Sequence, residues 1–381
     1  MIPYGRQHIT QADIEAVIAT LQSDYLTQGP AITQFENNFA QYIGCKYAVA
    51  VTNGTAALHL AAMALGVKEG SKVITTPITF AASANCIKYC GGDVDFVDID
   101  PQTFLLDIDK VRAKLAAAPK GTYCGIVPVD FAGYPIDMEA YRQLANEYGL
   151  WLLEDACHAP GAYFTDSKGI PQMCGNGQYA DAAIFSFHPV KHIATGEGGM
   201  ITTNRQDIYE QLLLLRTHGI TKNPALMSKN DGGWYQEMLL LGYNYRLSDI
   251  LATLGNSQLQ RANEGMQQRQ QIAQRYMAAF KDTNVRYTHI PNGVYHGYHL
   301  FVIQTEHRLE LYNHLQSQQI FAQVHYVPCH LHPYYRQQGW TDGDLPHAEH
   351  YYSRTLSLPM YPTLTNQQQD FVIEQVLAIC G

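Results

Sequence analysis

Short apolar runs alternate with segments of helical spacing between residues 47 and 204, and this alternation constrains the fold more than any other feature. It is typical of a mainly parallel sheet with helices on both faces. We therefore predict an α/β large domain with a seven-stranded sheet, whose ligands bind at the carboxyl ends of the strands. The strand-like runs are residues 47–52, 72–76, 94–98, 125–129, 150–153, 182–187 and 199–203, and the helix-like segments are residues 55–65, 81–89, 109–117 and 138–148.

Two domains are expected from the 381 residues, 46% of which are hydrophobic. We assign residues 1–255 to the large domain and residues 256–381 to a smaller C-terminal α+β domain. A long helix is predicted from the residue after Asp249 to about Lys281, as a bridge between the two. Beyond it the sequence predicts a strand over 298–304 and a helix over 308–318.

Charge and composition exclude several classes of partner. The formal net charge of −9 argues against nucleic-acid binding, which needs a basic face. The sequence shows neither a signal peptide nor a membrane span, so we predict a cytoplasmic protein with no membrane contact. Eight cysteines without a Cys-x-x-Cys pair indicate reduced thiols.

Two charged residues follow predicted strands and suit imine chemistry. Lys191 comes just after the run 182–187, where desolvation lowers the pKa of an amine enough for it to form a Schiff base. Asp155 follows the run 150–153, where its carboxylate suits the protonated ring nitrogen of pyridoxal phosphate. Each residue has a simpler reading, because Lys191 alone fits a solvated surface and Glu154-Asp155 alone fits a helix N-cap.

A phosphate site is predicted where the first strand meets the first helix of the sheet region. The segment Thr52 to Leu58 places free N–H groups of a helix N-terminus at a strand end, although an ordinary capped turn has the same pattern. Ser186, five residues before Lys191, offers a hydroxyl to the same phosphate. Its alternative role is a backbone hydrogen bond at the strand end.

Other polar and aromatic residues have open interpretations. Phe80 suits stacking on a cofactor ring but also a place in the core. His158 suits a hydrogen bond to the cofactor or a structural role. The histidines of segment 325–332 lack a nearby carboxylate in sequence, so we predict a sugar pocket there and no metal. The segment 242–246 reads as a structured loop.

These motifs together resemble a known family. Segments 52–58, 76–80, 154–159, 186–199 and 242–249 have the order and spacing of the DegT/DnrJ/EryC1/StrS sugar aminotransferases, and the resemblance covers nearly the whole chain. Segments 76–80, 185–191 and 325–328 are most similar to the transaminases of pseudaminic acid biosynthesis. Those enzymes act on a UDP-linked 4-keto-6-deoxy-L-sugar.

The resemblance implies a fold-type I homodimer with pyridoxal 5'-phosphate bound where the subunits meet. Lys191 would bind the cofactor covalently, with Asp155 at the pyridine nitrogen, Phe80 stacked on the ring and His158 at the phenolic oxygen. Many relatives carry Gln where this chain has His158, and both side chains can form hydrogen bonds. The phosphate would be held by Thr55, Ala56 and Ser186, with Asn244 from the other subunit. The residues lining the nucleotide-sugar site would be Tyr4, Asp24, Tyr25, Leu26, Thr27, His325, Tyr326, Val327 and Pro328.

The implied reaction moves the amino group of glutamate to C4 of UDP-2-acetamido-2,6-dideoxy-β-L-arabino-hex-4-ulose, in the synthesis of pseudaminic acid and surface glycans. Another nucleotide-linked 3- or 4-keto-sugar is an alternative substrate. A pyridoxal phosphate-dependent lyase, such as a cysteine desulfurase that uses Cys329, is a more remote alternative. A non-catalytic protein that binds nucleotide sugars is another.

Overall fold

The computed structural model describes all 381 residues. The strands are β1 Ile2–Pro3, β2 Tyr47–Val51, β3 Lys72–Thr75, β4 Asp93–Phe96, β5 Gly125–Val127, β6 Trp151–Asp155, β7 Tyr163–Thr165, β8 Pro171–Met173, β9 Ala182–Ser186, β10 Gly199–Thr203, β11 Ile220–Thr221, β12 Glu237–Met238, β13 Arg286–Tyr287, β14 Val294–Tyr295, β15 Phe301–Gln304, β16 Ile320–Phe321 and β17 Thr355–Leu358. The helices are α1 Gln11–Leu21, α2 Pro30–Ile43, α3 Gly54–Ala64, α4 Ala82–Tyr89, α5 Ile108–Ala117, α6 Met138–Tyr148, α7 Gln206–Leu215, α8 Asp249–Leu259, α9 Ala262–Phe280, α10 Arg308–Ser317, α11 Pro333–Arg336, α12 Pro346–Arg354 and α13 Asn366–Cys380.

The central sheet has seven strands in the order β2-β10-β9-β6-β5-β3-β4. Strand β10 is antiparallel to both of its neighbours, and the other pairs in the sheet are parallel. The predicted mainly parallel, seven-stranded sheet is therefore confirmed. Because the parallel strands end at one edge, that edge collects the residues that follow them.

Strand pairing brings three predicted segments together at this edge. Asp155 is the last residue of β6 and pairs with Ile184 of β9, two residues before Ser186. Gly199 begins β10 opposite both Ser186 and Val51. A Cβ atom at Gly199 would lie 2.5 Å from the carbonyl oxygen of Asn53, so only glycine lets the start of α3 approach β10 this closely.

Helix α2 packs its apolar side against the strand that leads to Lys191. Its residues Phe35 and Phe39 are fully buried, four positions apart on one helix face. The ring of Phe39 lies edge-on to Phe185 and Phe187, with centroid distances of 4.9 and 5.5 Å. This aromatic packing fixes the end of β9 from one side of the sheet.

The predicted continuous helix over 250–281 is wrong. It is divided into α8 and α9 by a break at residues 260–261, where Arg261 leaves helical geometry with φ −114° and ψ 15°. The side chain of Arg261 bonds Asp13 of α1, which also accepts hydrogen bonds from Ser257 and Gln258. The spacing of apolar residues does not reveal polar contacts of this kind, so the apolar pattern alone predicts one continuous helix.

The C-terminal part is built around the antiparallel sheet β13-β15-β17. Strand β15 begins at Phe301, three residues later than predicted, because Tyr298 has a left-handed φ of 44° that a strand does not allow. Strand β1 pairs in parallel with β16, so Ile2 lies beside Ile320. No helix of the chain has the length and apolar character needed to cross a bilayer.

We predict that Arg269→Met lowers the free energy of unfolding by about 3 kcal/mol, because buried carbonyls lose their donor. The guanidinium of Arg269 is buried and donates to the carbonyl oxygens of Tyr298 and Met360, at 2.9 and 3.0 Å. Urea unfolding followed by circular dichroism measures the change. Arg275→Met on the same helix is the control, since Arg275 pairs with the exposed Asp370 and its loss should cost about 0.5 kcal/mol or less. Equal effects of the two changes would contradict the prediction.

Candidate active site

Asp155 is buried at the end of β6 and held by two hydrogen bonds. Its Oδ2 accepts from the hydroxyl of Ser83 at 2.6 Å, and its Oδ1 accepts from the backbone N–H of Cys157 at 3.1 Å. The Ser83 hydroxyl also lies 2.7 Å from that of Thr79. The carboxylate is thus fixed in orientation by the residues that follow β3 and β6.

Lys191 lies in the turn after β9, half-buried, with its backbone N–H donating to the carbonyl oxygen of His188. Burial lowers the pKa of its amine, with a smaller contribution from the positive charge of Arg269. The negative charge of Asp155 opposes this shift, whereas burial raises the pKa of the Cys157 thiol and keeps it neutral. The amine therefore loses its proton more readily than an exposed lysine does, which is what a nucleophilic lysine requires.

His158 is a buried, neutral hydrogen-bond donor. The backbone N–H of Ala132 donates to its Nδ1 at 3.2 Å, so the proton of the neutral ring is assigned to Nε2. Nε2 lies 3.3 Å from the hydroxyl of Tyr326. Burial, and then the charge of Lys191, lower the pKa of His158 well below its usual value. The ring stays uncharged and presents its N–H group toward the hydroxyl of Tyr326.

The start of α3 offers a site for an anion next to Ser186. The N–H groups of Gly54 and Thr55 have no intrahelical acceptor, because they belong to the first turn. The N–H of Ala56 already donates to the side chain of Asn53 at 2.8 Å. Of the two predicted phosphate ligands, the N–H of Thr55 is therefore available to an anion and that of Ala56 is occupied. A Cβ atom at Gly54 would lie only 2.9 Å from Cβ of Ser186, so the hydroxyl stands close to the helix terminus.

Phe80 is not a core residue, which removes one of its two interpretations. Its side chain is 62% exposed at the sheet edge, directly after the segment that follows β3. Its ring centroid lies 6.2 Å from that of Tyr326. An exposed ring in this place has a free face for stacking on a flat ligand.

Part of the predicted sugar site forms one aromatic wall. The rings of Tyr4 and His325 lie 5.1 Å apart, and Tyr326 follows beside His158. His325 Nδ1 lies 2.9 Å from the Ser357 hydroxyl, and burial lowers the pKa of His325 to about 3. Of the two next residues, Val327 is exposed and Pro328 is buried.

Other predicted residues are not brought to Lys191 within one chain. The turn of Asp24, Tyr25, Leu26 and Thr27 is exposed and is held by a hydrogen bond from the N–H of Asp249 to the carbonyl oxygen of Leu26. Asn244 is exposed and bridges to Thr217. These side chains make no hydrogen bond with Lys191 or Asp155, and their roles stay predictions.

Sequence reasoning missed Ser83 and His299, which contact Asp155 and Lys191 respectively. Ser83 follows Phe80 by three residues, so the approach of the 76–80 segment to a strand end was an available signal. His299 lies two residues before a buried strand in a histidine-rich stretch, and nothing in the sequence links it to Lys191.

Behind Asp155 lies a buried group of three residues close enough to share a metal ion, namely Asp130, Glu154 and Cys174. Burial raises the pKa of Asp130 to about 7 and also raises the pKa of Glu154 and Cys174. These shifts favour carboxyl groups that share a proton over metal ligands, which must lose theirs. Two histidines of segment 325–332 have separate partners, because His325 contacts the Ser357 hydroxyl and His330 contacts Glu349. His330 contacts Glu349 at 3.0 Å, so the expectation that no carboxylate lies near them is wrong.

Cys329 does not suit thiol chemistry. It is fully buried, its Sγ lies 3.6 Å from the carbonyl oxygen of Thr79, and burial raises its pKa to about 12. A reactive cysteine needs an accessible thiolate. The site therefore does not support the desulfurase alternative.

Comparison with known proteins agrees with this geometry. The sequence is 39% identical to the spore coat polysaccharide biosynthesis protein SpsC of Bacillus subtilis, over 98% of this chain and 96% of that one. It is 34% identical to the UDP-4-amino-4,6-dideoxy-N-acetyl-beta-L-altrosamine transaminase of Campylobacter jejuni, over 100% and 97%. The fold matches Helicobacter pylori PseC, an aminotransferase involved in the biosynthesis of pseudoaminic acid, with a TM-score of 0.89 and 29% identity over 99% and 98%. Residues 7–377 match the profile of one family, and the chain belongs to it: the DegT/DnrJ/EryC1/StrS aminotransferase family, whose sugar aminotransferases depend on pyridoxal phosphate.

Proposed function

We propose that this sugar aminotransferase moves the amino group of glutamate to C4 of UDP-2-acetamido-2,6-dideoxy-β-L-arabino-hex-4-ulose, in the synthesis of pseudaminic acid for surface glycans. The observation that carries the chemistry is the convergence of Lys191 and Asp155 at adjacent strand ends. The choice of sugar is supported by full-length similarity to the Campylobacter transaminase.

Lys191 is the proposed covalent anchor and the proton carrier of the reaction. Burial lowers the pKa of its amine, which makes the unprotonated nucleophile more available than in an exposed lysine. Once released, the same amine would take a proton from the carbon that bears the transferred nitrogen and deliver it to the carbon on the other side of that nitrogen. Bound pyridoxal phosphate supplies the electron sink for that carbon.

The other residues are proposed to hold the cofactor. Asp155, fixed by Ser83, would keep the pyridine nitrogen protonated, and the neutral Nε2–H of His158 would donate to the phenolic oxygen. Phe80 would stack on the ring. Thr55 and Ser186 would bind the phosphate, and Ala56 would do so if the Asn53 side chain moved away.

The sugar site is proposed to combine residues from two subunits of a homodimer. Tyr4 and the His325 to Pro328 segment would line it from one chain. Asn244 and the exposed turn of Asp24 to Thr27 make no contact with Lys191 in their own chain, which supports a role across an interface. A different nucleotide-linked keto-sugar is the second candidate, favoured by the 39% identity to SpsC.

Assay of a panel of UDP- and dTDP-linked 3- and 4-keto-sugars with glutamate tests the proposal. We expect amination at C4 of the L-arabino-hex-4-ulose, with kcat/KM at least about tenfold higher than for the other sugars, and product NMR identifies the carbon. Lys191→Ala should give no product and no visible absorbance from bound cofactor. Preference for another sugar would contradict the substrate, and turnover by Lys191→Ala would contradict the role of Lys191.

Asp155→Asn should lower kcat by about two orders of magnitude, because a neutral amide does not stabilise a protonated pyridine nitrogen. Ser83→Ala is the control, since it keeps the carboxylate and removes only its 2.6 Å donor. That change should cost about tenfold or less. Steady-state kinetics at saturating cofactor measures both. A loss of less than about twofold in Asp155→Asn would rule out the proposed pairing.

Gly54→Ala should weaken pyridoxal phosphate binding by about tenfold, because the hydroxyl of Ser186 is pushed from the anion site. The added Cβ would lie 2.9 Å from Cβ of Ser186, whereas Gly233→Ala adds a Cβ with nothing within 4 Å and serves as the control. Titration of the cofactor-free chain, followed by absorbance, gives both dissociation constants. Equal constants for the two variants would place the phosphate elsewhere.

A further inference from the structure

His299 lies beside the amine of Lys191, although the two residues belong to different parts of the chain. Its Nε2 is 3.4 Å from Nζ of Lys191. His299 lies two residues before β15 of the C-terminal sheet, whereas Lys191 follows β9 of the central sheet. The contact with His299 Nε2 is the hydrogen bond that the Lys191 side chain makes within the protein.

The ring of His299 packs against His158, and its backbone is fixed by Arg269. It is buried, with 4% exposure, and its ring centroid lies 4.3 Å from that of His158. Its backbone carbonyl oxygen accepts from Arg269 at 3.4 Å. Its Nδ1 is buried and has no hydrogen-bond partner. The ring therefore has one polar contact, and that contact is the Lys191 amine.

Charge decides which of the two groups holds the proton. Burial, followed by the positive charge of Lys191, lowers the pKa of His299 well below its usual value, and His158, His192 and Arg269 add to the shift. A second positive charge next to Lys191 is thus unfavourable, and the imidazole stays neutral. With the ring proton on Nδ1, the lone pair of Nε2 faces the amine and can accept a hydrogen bond from it.

We propose that His299 is a positioning residue that holds the Lys191 amine, by accepting a hydrogen bond from Nζ, whenever that amine is not bonded to cofactor. This rests on the proposed role of Lys191 as anchor and proton carrier. During transfer the proton moves from the substrate carbon to Nζ, and from Nζ to the carbon on the other side of the transferred nitrogen, and His299 neither gains nor loses one. The acceptor stabilises the ammonium form in a site whose burial disfavours it.

The sign of the effect follows from the groups around Lys191. Burial and Arg269 of α9 disfavour its ammonium form, while the carboxylate of Asp155 at the end of β6 favours it, and the buried Cys157 thiol is neutral. His158, His192 and His325 are neutral and add no charge. A hydrogen-bond acceptor at His299 acts in the same direction as Asp155 and favours the ammonium form of Lys191. Its removal should lower the pKa of Lys191 further and make the amine a weaker base.

Two substitutions separate the acceptor from the space that the ring fills. His299→Gln keeps an oxygen near the position of Nε2, and His299→Leu removes the acceptor. In the full chain without cofactor, acylation of Lys191 by acetic anhydride as a function of pH, read by peptide mass spectrometry, gives the amine pKa. We expect it to fall by about one unit in His299→Leu and by less than about 0.3 unit in His299→Gln.

With cofactor restored, exchange of the glutamate α-proton with deuterated solvent should slow by about tenfold in His299→Leu and by less than about threefold in His299→Gln. His330→Leu is the control for loss of a buried histidine, because His330 contacts Glu349 and not Lys191. Its acylation profile should match that of the unaltered chain.

An unchanged amine pKa in His299→Leu, or an equal fall in the Gln and Leu variants, would overturn the proposal. If neither variant folds, nitrogen NMR of the unaltered chain without cofactor decides instead. We expect Nε2 of His299 to be unprotonated between about pH 6 and 8, and a proton on Nε2 would overturn the proposal. Turnover by Lys191→Ala is a different result, which would remove the role of Lys191 and leave the His299 contact intact.

Discussion

The parallel pairing of β6 with β9 is the constraint on which the site depends. The register that sets Asp155 opposite Ile184 places a carboxylate and the turn carrying Lys191 at the same sheet edge. A shift by one residue would exchange the faces of Glu154 and Asp155, because successive side chains in a strand point to opposite faces. The buried Glu154, which accepts from the N–H of Gly175, would then be directed into the site.

Burial governs the electrostatics of this edge. It lowers the pKa of Lys191 and keeps His158 and His299 neutral. Ionised groups that remain, such as Asp155, are held by short hydrogen bonds. The site therefore combines a poorly solvated amine with uncharged imidazoles, and proton transfers within it are confined to Lys191 and bound ligands.

Much of the fold was predictable because alternation of apolar runs and helical segments survives in a single sequence. The seven strands and the position of Lys191 after a strand follow from that pattern alone. The break at Arg261 was not predictable, since it depends on Asp13, nearly 250 residues away. Ser83 and His299 escaped notice for the same reason, because their importance lies in contacts that only the folded chain creates. The sequence pattern of Phe80 fitted both a core residue and a ring that stacks on a ligand. Its exposure in the folded chain excludes the core.

The pairing of β1 with β16 has a consequence for protein engineering. Tyr4 reaches His325 because residues 2–3 form a strand with residues 320–321, at opposite ends of the sequence. This aromatic wall is therefore built from two stretches that are distant in sequence and must fit each other. A chimera that exchanges only one stretch with a relative would pair strands from different parents, so recombination of substrate preference requires both stretches from the same donor.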